Sequence, residues 1–168
     1  RQVEEEDKSA VVQTLIESIQ NSDYALTAGD VGFHFLVKAL QDNGHGDVIY
    51  KMNARDDVPG YGYQLKKGAT ALTESWQALE EVSNNHLMLG HIMEWFYSGL
   101  GGIGQSETSV AYEEIVIRPQ MVDGVKDARA SFETPYGTIT SEWHKTDVET
   151  TLKVSIPVNT RAKIIVPT

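Results

Sequence analysis

A helical segment followed by an antiparallel β-sandwich, an α+β arrangement in two parts, is what this 168-residue sequence predicts. Three observations carry that expectation. Apolar residues recur at helical spacing through the first part of the chain, beginning with Val11, Val12, Leu15, Ile16 and Ile19. Residues 99–104 read Gly-Leu-Gly-Gly-Ile-Gly, a cluster that no helix continues. Beyond it the period changes to two: Ala128, Ala130 and Phe132 alternate with Arg129, Ser131 and Glu133. The expected division is therefore residues 1–103 and 104–168, with residues 3–98 helical and residues 111–166 antiparallel β.

The elements follow in order. A first helix over 3–22 opens on the acidic run Glu4–Asp7, which suits a helix N-terminus and otherwise forms a solvated face. Thr27 or Asp30 caps a second helix over about 30–42, and Asn43-Gly44 ends it. A short helix over about 46–53 precedes the loop Arg55-Asp56-Asp57-Val58-Pro59-Gly60. Lys66-Lys67-Gly68 reads as a further helix end. The run Leu87 to Tyr97 is apolar on nearly every side, as in a helix packed on both faces, and Ser83, Asn84 or Asn85 would cap it. In the second part, Ile115 and Ile117 mark a strand closed by Pro119. Strands follow over 126–134 and 138–145 around Pro135-Tyr136-Gly137. Two more hold Leu152, Val154 and Ile156, then Ala162, Ile164 and Val166. Trp143 reads as a core or inter-domain residue, with a carbohydrate-binding platform as the alternative.

Charge and composition exclude several classes of function. Fourteen basic against 24 acidic residues give a net charge of −10, which argues against nucleic acid or an anionic membrane as partner and leaves neutral sugars open. With no cysteine there is neither a disulfide framework nor a thiolate metal site. No apolar run reaches spanning length and the first residues are not a signal peptide. The first residue is Arg rather than Met, which gives the expectation of a fragment or processed product. The compartment stays open, with an extracytoplasmic one favoured. No metal and no cofactor are expected.

Chemistry concentrates between residues 68 and 99. Glu74 stands between Thr73 and Ser75, two residues before Trp76. A carboxylate beside an indole suits a sugar site: the ring covers an apolar sugar face while the carboxylate handles a proton or a hydroxyl. The structural alternative places Glu74 in the first turn of a short helix, where the macrodipole favours anions. If the link 77–82 turns back, His86 approaches the Glu74 segment and is either a ligand for a hydroxyl or a satisfied core histidine. His91 and His34 read as structural. Tyr61, after Pro59-Gly60, lines a sugar subsite or belongs to the core. Asp30 either reaches a ligand or caps its helix.

The order of several blocks carries a family resemblance. Thr-Ala-Gly-Asp-Val-Gly (27–32), Asp-Val-Pro-Gly-Tyr-Gly-Tyr (57–63), Lys-Gly-Ala-Thr-Ala-Leu-Thr-Glu-Ser-Trp (67–76), Ser-Asn-Asn-His (83–86), Ile-Arg-Pro-Gln (117–120) and Ser-Phe-Glu-Thr-Pro-Tyr-Gly-Thr-Ile-Thr-Ser-Glu-Trp (131–143) resemble the closing blocks of the inverting α-L-rhamnosidases. The resemblance covers about Val11 to Pro167. It implies the last helices of an (α/α)6 toroid and a trailing β-sandwich. It also implies that Glu74 is the general base, that His86 binds rhamnose, and that Trp76 is the aromatic residue following the base. The 27–30 turn would then lie at the toroid mouth. Two departures stand out. The link between Glu74 and His86 is shorter than in the family, and the family's general acid, in an acidic cluster upstream, has no counterpart here.

Three functional readings follow. The first is the base-bearing end of a glycoside hydrolase that releases terminal α-L-rhamnose. The second is a lectin-like module in which Trp76, Tyr61 and Trp143 bind glycan without chemistry. The third is a purely structural helix-plus-sandwich unit. The expected partners are a rhamnose-containing glycan or glycoside and the remaining part of the same protein. A second copy is a further candidate, because part of a closed toroid exposes apolar faces.

Overall fold

The computed structural model describes residues 3–166, which form two compact units, one ending at Ile92 and the other beginning at Met93. In the first unit, helix α1 (Lys8–Asn21) buries Ile16 and Ile19, and α2 (Asp30–Asp42) buries Phe33, Val37 and Leu40. Helix α3 (Gly46–Ala54) adds Val48, Ile49 and Met52 to the buried set, and α4 (Tyr61–Lys66) is a short helix with Gln64 inside. The i, i+3, i+4 spacing of these apolar residues puts each set on one face. The loops pin the helices together. The Arg55 guanidinium holds both carboxylate oxygens of Asp57 and also the backbone carbonyl and carboxylate of Asp23. This fork carries Asp57 down to about 2. Gly62 starts α4 so close to the loop that a Cβ there would lie 2.3 Å from the Arg55 carbonyl oxygen.

Several expectations change in the first unit. Helix α1 begins at Lys8, so Glu4–Asp7 precede its first turn rather than occupy it. Residues 67–86 are not helical. Gly68 (φ +85°) closes α4 in the left-handed region, where glycine carries no Cβ penalty, and backbone pairing of the two ends of the following loop replaces helical bonding. The alternative of Glu74 in a helix first turn therefore fails. The apolar run beyond it starts as a 3₁₀ turn, Leu87–His91, at whose N-cap stands His86, with no side-chain cap from Ser83, Asn84 or Asn85. Leu89 and Ile92 are buried, but Leu87 is 81% exposed. Met88, Met93, Phe96 and Tyr97 are exposed as well, so the run is not covered on both sides.

One helical turn, α5 (Ile92–Glu94), spans the division. The second unit begins with a π-helical turn, Trp95–Leu100. Gly99 allows that turn, since a Cβ on it would meet the Trp95 ring at 2.3 Å. The β part is two three-stranded sheets. One has the order β1 (Ile103–Gln105), β2 (Glu114–Ile117), β6 (Arg161–Ile164); the other is the meander β3 (Asp127–Thr134), β4 (Gly137–Lys145), β5 (Thr150–Ser155). Ile103, Ile115 and Ile117 from the first sheet and Ala130 and Ile139 from the second form one core, as in a sandwich. The helix-then-sheet order and the predominance of antiparallel pairs agree with the expected fold class. The exception is β2 and β6, which pair in parallel (Ile115 opposite Ala162). β1 also lies inside the glycine-rich stretch where no strand was expected. Trp143 is fully buried and donates its Nε1–H to the Leu100 carbonyl.

Candidate functional site

The loop carrying Glu74 is tied at both ends. Ala69 N–H donates to Gln64 O at the helix end, and beyond it two chain segments close on each other. Glu74 N–H donates to Ser83 O at 2.8 Å, and His86 N–H to Leu72 O at 2.8 Å. The link 77–82 does turn back, and the backbones of Glu74 and His86 enter one pairing of segments. Ser83 N–H also donates to Glu74 Oε2 at 3.1 Å. That bond fixes Oε2 as an acceptor beside the Ser83 backbone. No described residue bonds Oε1, and the Glu74 side chain is exposed.

Two buried side chains hold the next residue. Thr73 Oγ1 donates to Ser75 O at 2.6 Å, and Gln64 Nε2 donates to the same carbonyl at 3.2 Å. Ala78 N–H joins them at 3.0 Å, with Ala78 in the left-handed region (φ 52°). A buried polar group persists where its hydrogen bonds are made. Thr73 and Gln64 make theirs to one backbone atom beside Glu74.

Trp76 anchors the loop to α2. Its Nε1–H donates to Ala28 O at 2.7 Å, and its ring meets Phe33 and Tyr61 edge-on, with centroids 5.0 and 5.1 Å away. Phe33 and Tyr61 are themselves 5.9 Å apart. Tyr61 Oη donates to Leu89 O, and burial raises its phenol above the ordinary range, an effect a backbone hydrogen bond at Ile92 only partly offsets. Three of the sequence blocks, through Ala28, Tyr61 and Trp76, thus converge on one aromatic knot. Trp76 is 6% exposed and Trp143 0%, so neither offers the open ring face that a lectin-like platform needs.

Asp30 opens α2. Its Oδ1 accepts Val31 N–H at 2.8 Å, and its Oδ2 lies 3.3 Å from His86 Nε2. The Val31 amide first, and the His86 ring second, hold its carboxyl below the usual range. Asp30 and His86 are brought together across 56 residues of sequence, a pairing no local signal marks. His91 sits beside His34, rings 4.9 Å apart.

A cavity of about 610 Å³ is bounded by Tyr63, Lys67, Gln77, Glu80, Glu81 and Asn84 among others. Asp30, Tyr61, Glu74, Trp76 and His86 do not line it. It contains two carboxylates, but neither accepts a backbone hydrogen bond as Glu74 does. The described residues contain no cluster of three or more His, Cys, Asp or Glu groups arranged to hold a metal ion.

Both parts of the chain match known protein families. Residues 2–100 match the bacterial alpha-L-rhamnosidase 6 hairpin glycosidase domain, and residues 102–168 match the bacterial alpha-L-rhamnosidase C-terminal domain. An alpha-L-rhamnosidase of Streptomyces avermitilis is 31% identical over 95% of this chain, which covers 16% of that protein. One from Formosa agariphila is 32% identical over 98% of the chain and 18% of its own length. The chain thus spans about a sixth of these relatives. Among solved structures, an alpha-L-rhamnosidase from Dictyoglumus thermophilum superposes with a TM-score of 0.90 at 31% identity, over 98% of this chain and 19% of that one. The Streptomyces avermitilis enzyme complexed with L-rhamnose gives 0.83 at 30% identity, over 90% and 16%.

Proposed function

This chain belongs to the bacterial α-L-rhamnosidase family, and on that premise we propose that it supplies the general base of an inverting glycoside hydrolase releasing terminal α-L-rhamnose. The observation that carries the reading is the closure of the Glu74 segment onto the His86 segment. It joins a carboxylate with one held oxygen and one open oxygen to a polar ring able to meet a hydroxyl. In the proposed step, Glu74 Oε1 takes a proton from a water as that water attacks the anomeric carbon. A carboxylic acid from elsewhere in the longer polypeptide protonates the leaving oxygen. His86 holds a rhamnose hydroxyl. Phe33, Tyr61 and Trp76 form the apolar support behind the loop. The functional boundary is proposed at residues 103 and 104, with the β part as a trailing domain. No cofactor enters this chemistry.

The experiment is turnover of an aryl α-L-rhamnoside by the full-length protein. Glu74→Gln keeps the shape of the side chain but cannot take the proton. The expected loss in kcat is roughly 10²–10⁴, the usual worth of general acid–base catalysis, with binding little changed. Azide supplied to Glu74→Gly should restore turnover and give a rhamnosyl azide of inverted configuration. A Glu74→Gln enzyme with wild-type kcat would refute the assignment.

A further inference from the structure

We infer that Asp30 is a positioning residue for His86: its carboxylate takes the imidazole Nε2–H, fixes the tautomer, and leaves Nδ1 as an acceptor for a ligand hydroxyl. The inference deepens the proposed function and rests on His86 facing the sugar. The geometry is specific. An ionised carboxylate only accepts, so the ring nitrogen 3.3 Å from Asp30 Oδ2 must be the donor. A neutral imidazole with its proton on Nε2 accepts at Nδ1.

Both partners are fixed by other contacts. Asp30 Oδ1 is engaged by Val31 N–H at 2.8 Å, which anchors the carboxylate to the start of α2. His86 is anchored through its main chain to Leu72. The His86 side chain is 22% exposed, so the ring is held rather than waving in solvent. A helix-opening aspartate needs only the Val31 contact. The second, to a ring 56 residues away, has no part in starting α2. The arrangement repeats the logic of metal-bound and catalytic histidines, whose second nitrogen is oriented by a carboxylate. It makes His86 a reader of hydroxyl protons, so the ligand it suits is a neutral polyol or sugar presenting an O–H.

The test is two-bond ¹H–¹⁵N correlation spectroscopy on the chain labelled at histidine, with His86 assigned through His86→Gln. In the expected spectrum the neutral form of the His86 ring is an essentially pure Nε2–H tautomer. In Asp30→Ala it should relax toward the mixture of free imidazole. Asp30→Asn keeps an acceptor for Val31 N–H and guards against loss of the helix start, which circular dichroism checks. It should also shift the His86 nitrogens. An Nδ1–H tautomer in the wild type, or a His86 spectrum unmoved in both variants, overturns the inference. In the full-length protein, Asp30→Asn should raise KM for an aryl α-L-rhamnoside about tenfold while leaving kcat near wild type, and adding it to His86→Ala should cost nothing more. If the tautomer depends on Asp30 but KM does not respond, the orientation stands and the sugar-binding reading of His86 falls.

Discussion

Glu74 shares its loop with Glu80 and Glu81, and environment alone separates the three. Glu74 has one oxygen held by Ser83 N–H and a backbone locked on both sides. Glu80 and Glu81 face the neighbouring cavity without such a bond. Glu74→Gln should therefore disable the full-length enzyme while Glu80→Gln and Glu81→Gln leave kcat within a few-fold of wild type; a dead neighbour and a live Glu74→Gln would reverse the assignment. His86→Ala should instead weaken substrate binding by about 1–3 kcal/mol, the cost of leaving a desolvated hydroxyl unpaired. Asp30 adds a pH signature. Its folded carboxyl lies below the ordinary aspartate value of 3.8. The stabilisation is then present above 3.8 and is lost as pH falls through the lower folded value. The wild-type chain should therefore lose stability in chemical denaturation as pH falls below 3.8, and Asp30→Ala should lack that increment. An acid limb of the stability curve identical in wild type and Asp30→Ala would contradict the contact.

At the scale of elements, the positions of Gln64 and Thr73 matter more than their identity suggests. Both are buried, and both donate to the carbonyl of Ser75. Thr73→Val is close in shape and removes one donor. It should cost about 1 kcal/mol of stability in chemical denaturation and lower kcat more than it raises KM, because what moves is the backbone next to the proposed base. An unchanged kcat would mean the Ser75 carbonyl is held well enough by Gln64 and Ala78. The elements also show what a sequence exposes and what it hides. Alternation along β3 and β4 marks their faces, since Ala130, Ile139 and Trp143 repeat with the pleat. The parallel pairing of β2 with β6 is set by contacts across more than 40 residues and leaves no local trace. The loop 67–86 looks helical in part because Leu, Glu, Gln and Ala crowd it. Gly68 and Ala78, both at positive φ, decide otherwise. The approach of the His86 segment to Glu74 was legible from the short link 77–82. The Asp30–His86 and Trp76–Ala28 bonds were not, because tertiary packing alone creates them.

For the whole molecule, the proposed reaction asks for a second carboxyl group to act with Glu74. Inverting glycosidases place an acid and a base on opposite sides of the bond, about 6.5–9.5 Å apart. Glu74 is the one carboxylate assigned here to that reaction, and the chain spans about a sixth of its relatives. Its helical unit also leaves large apolar side chains open. Val31 and Phe35, one turn apart on α2, are 63% and 66% exposed, and Leu87 is more so. Residues of this kind are ordinarily covered in a finished protein when they cluster. The net charge of −10 does not oppose a neutral glycoside, so charge alone would not prevent binding. The purified 168-residue chain should therefore give no steady turnover of an aryl α-L-rhamnoside, whereas the longer polypeptide containing the same residues should turn it over. Activity of the chain alone that vanishes in Glu74→Gln would show that a second carboxylate within these residues serves as the acid, and the division of the catalytic pair between this chain and the rest of the protein would be wrong.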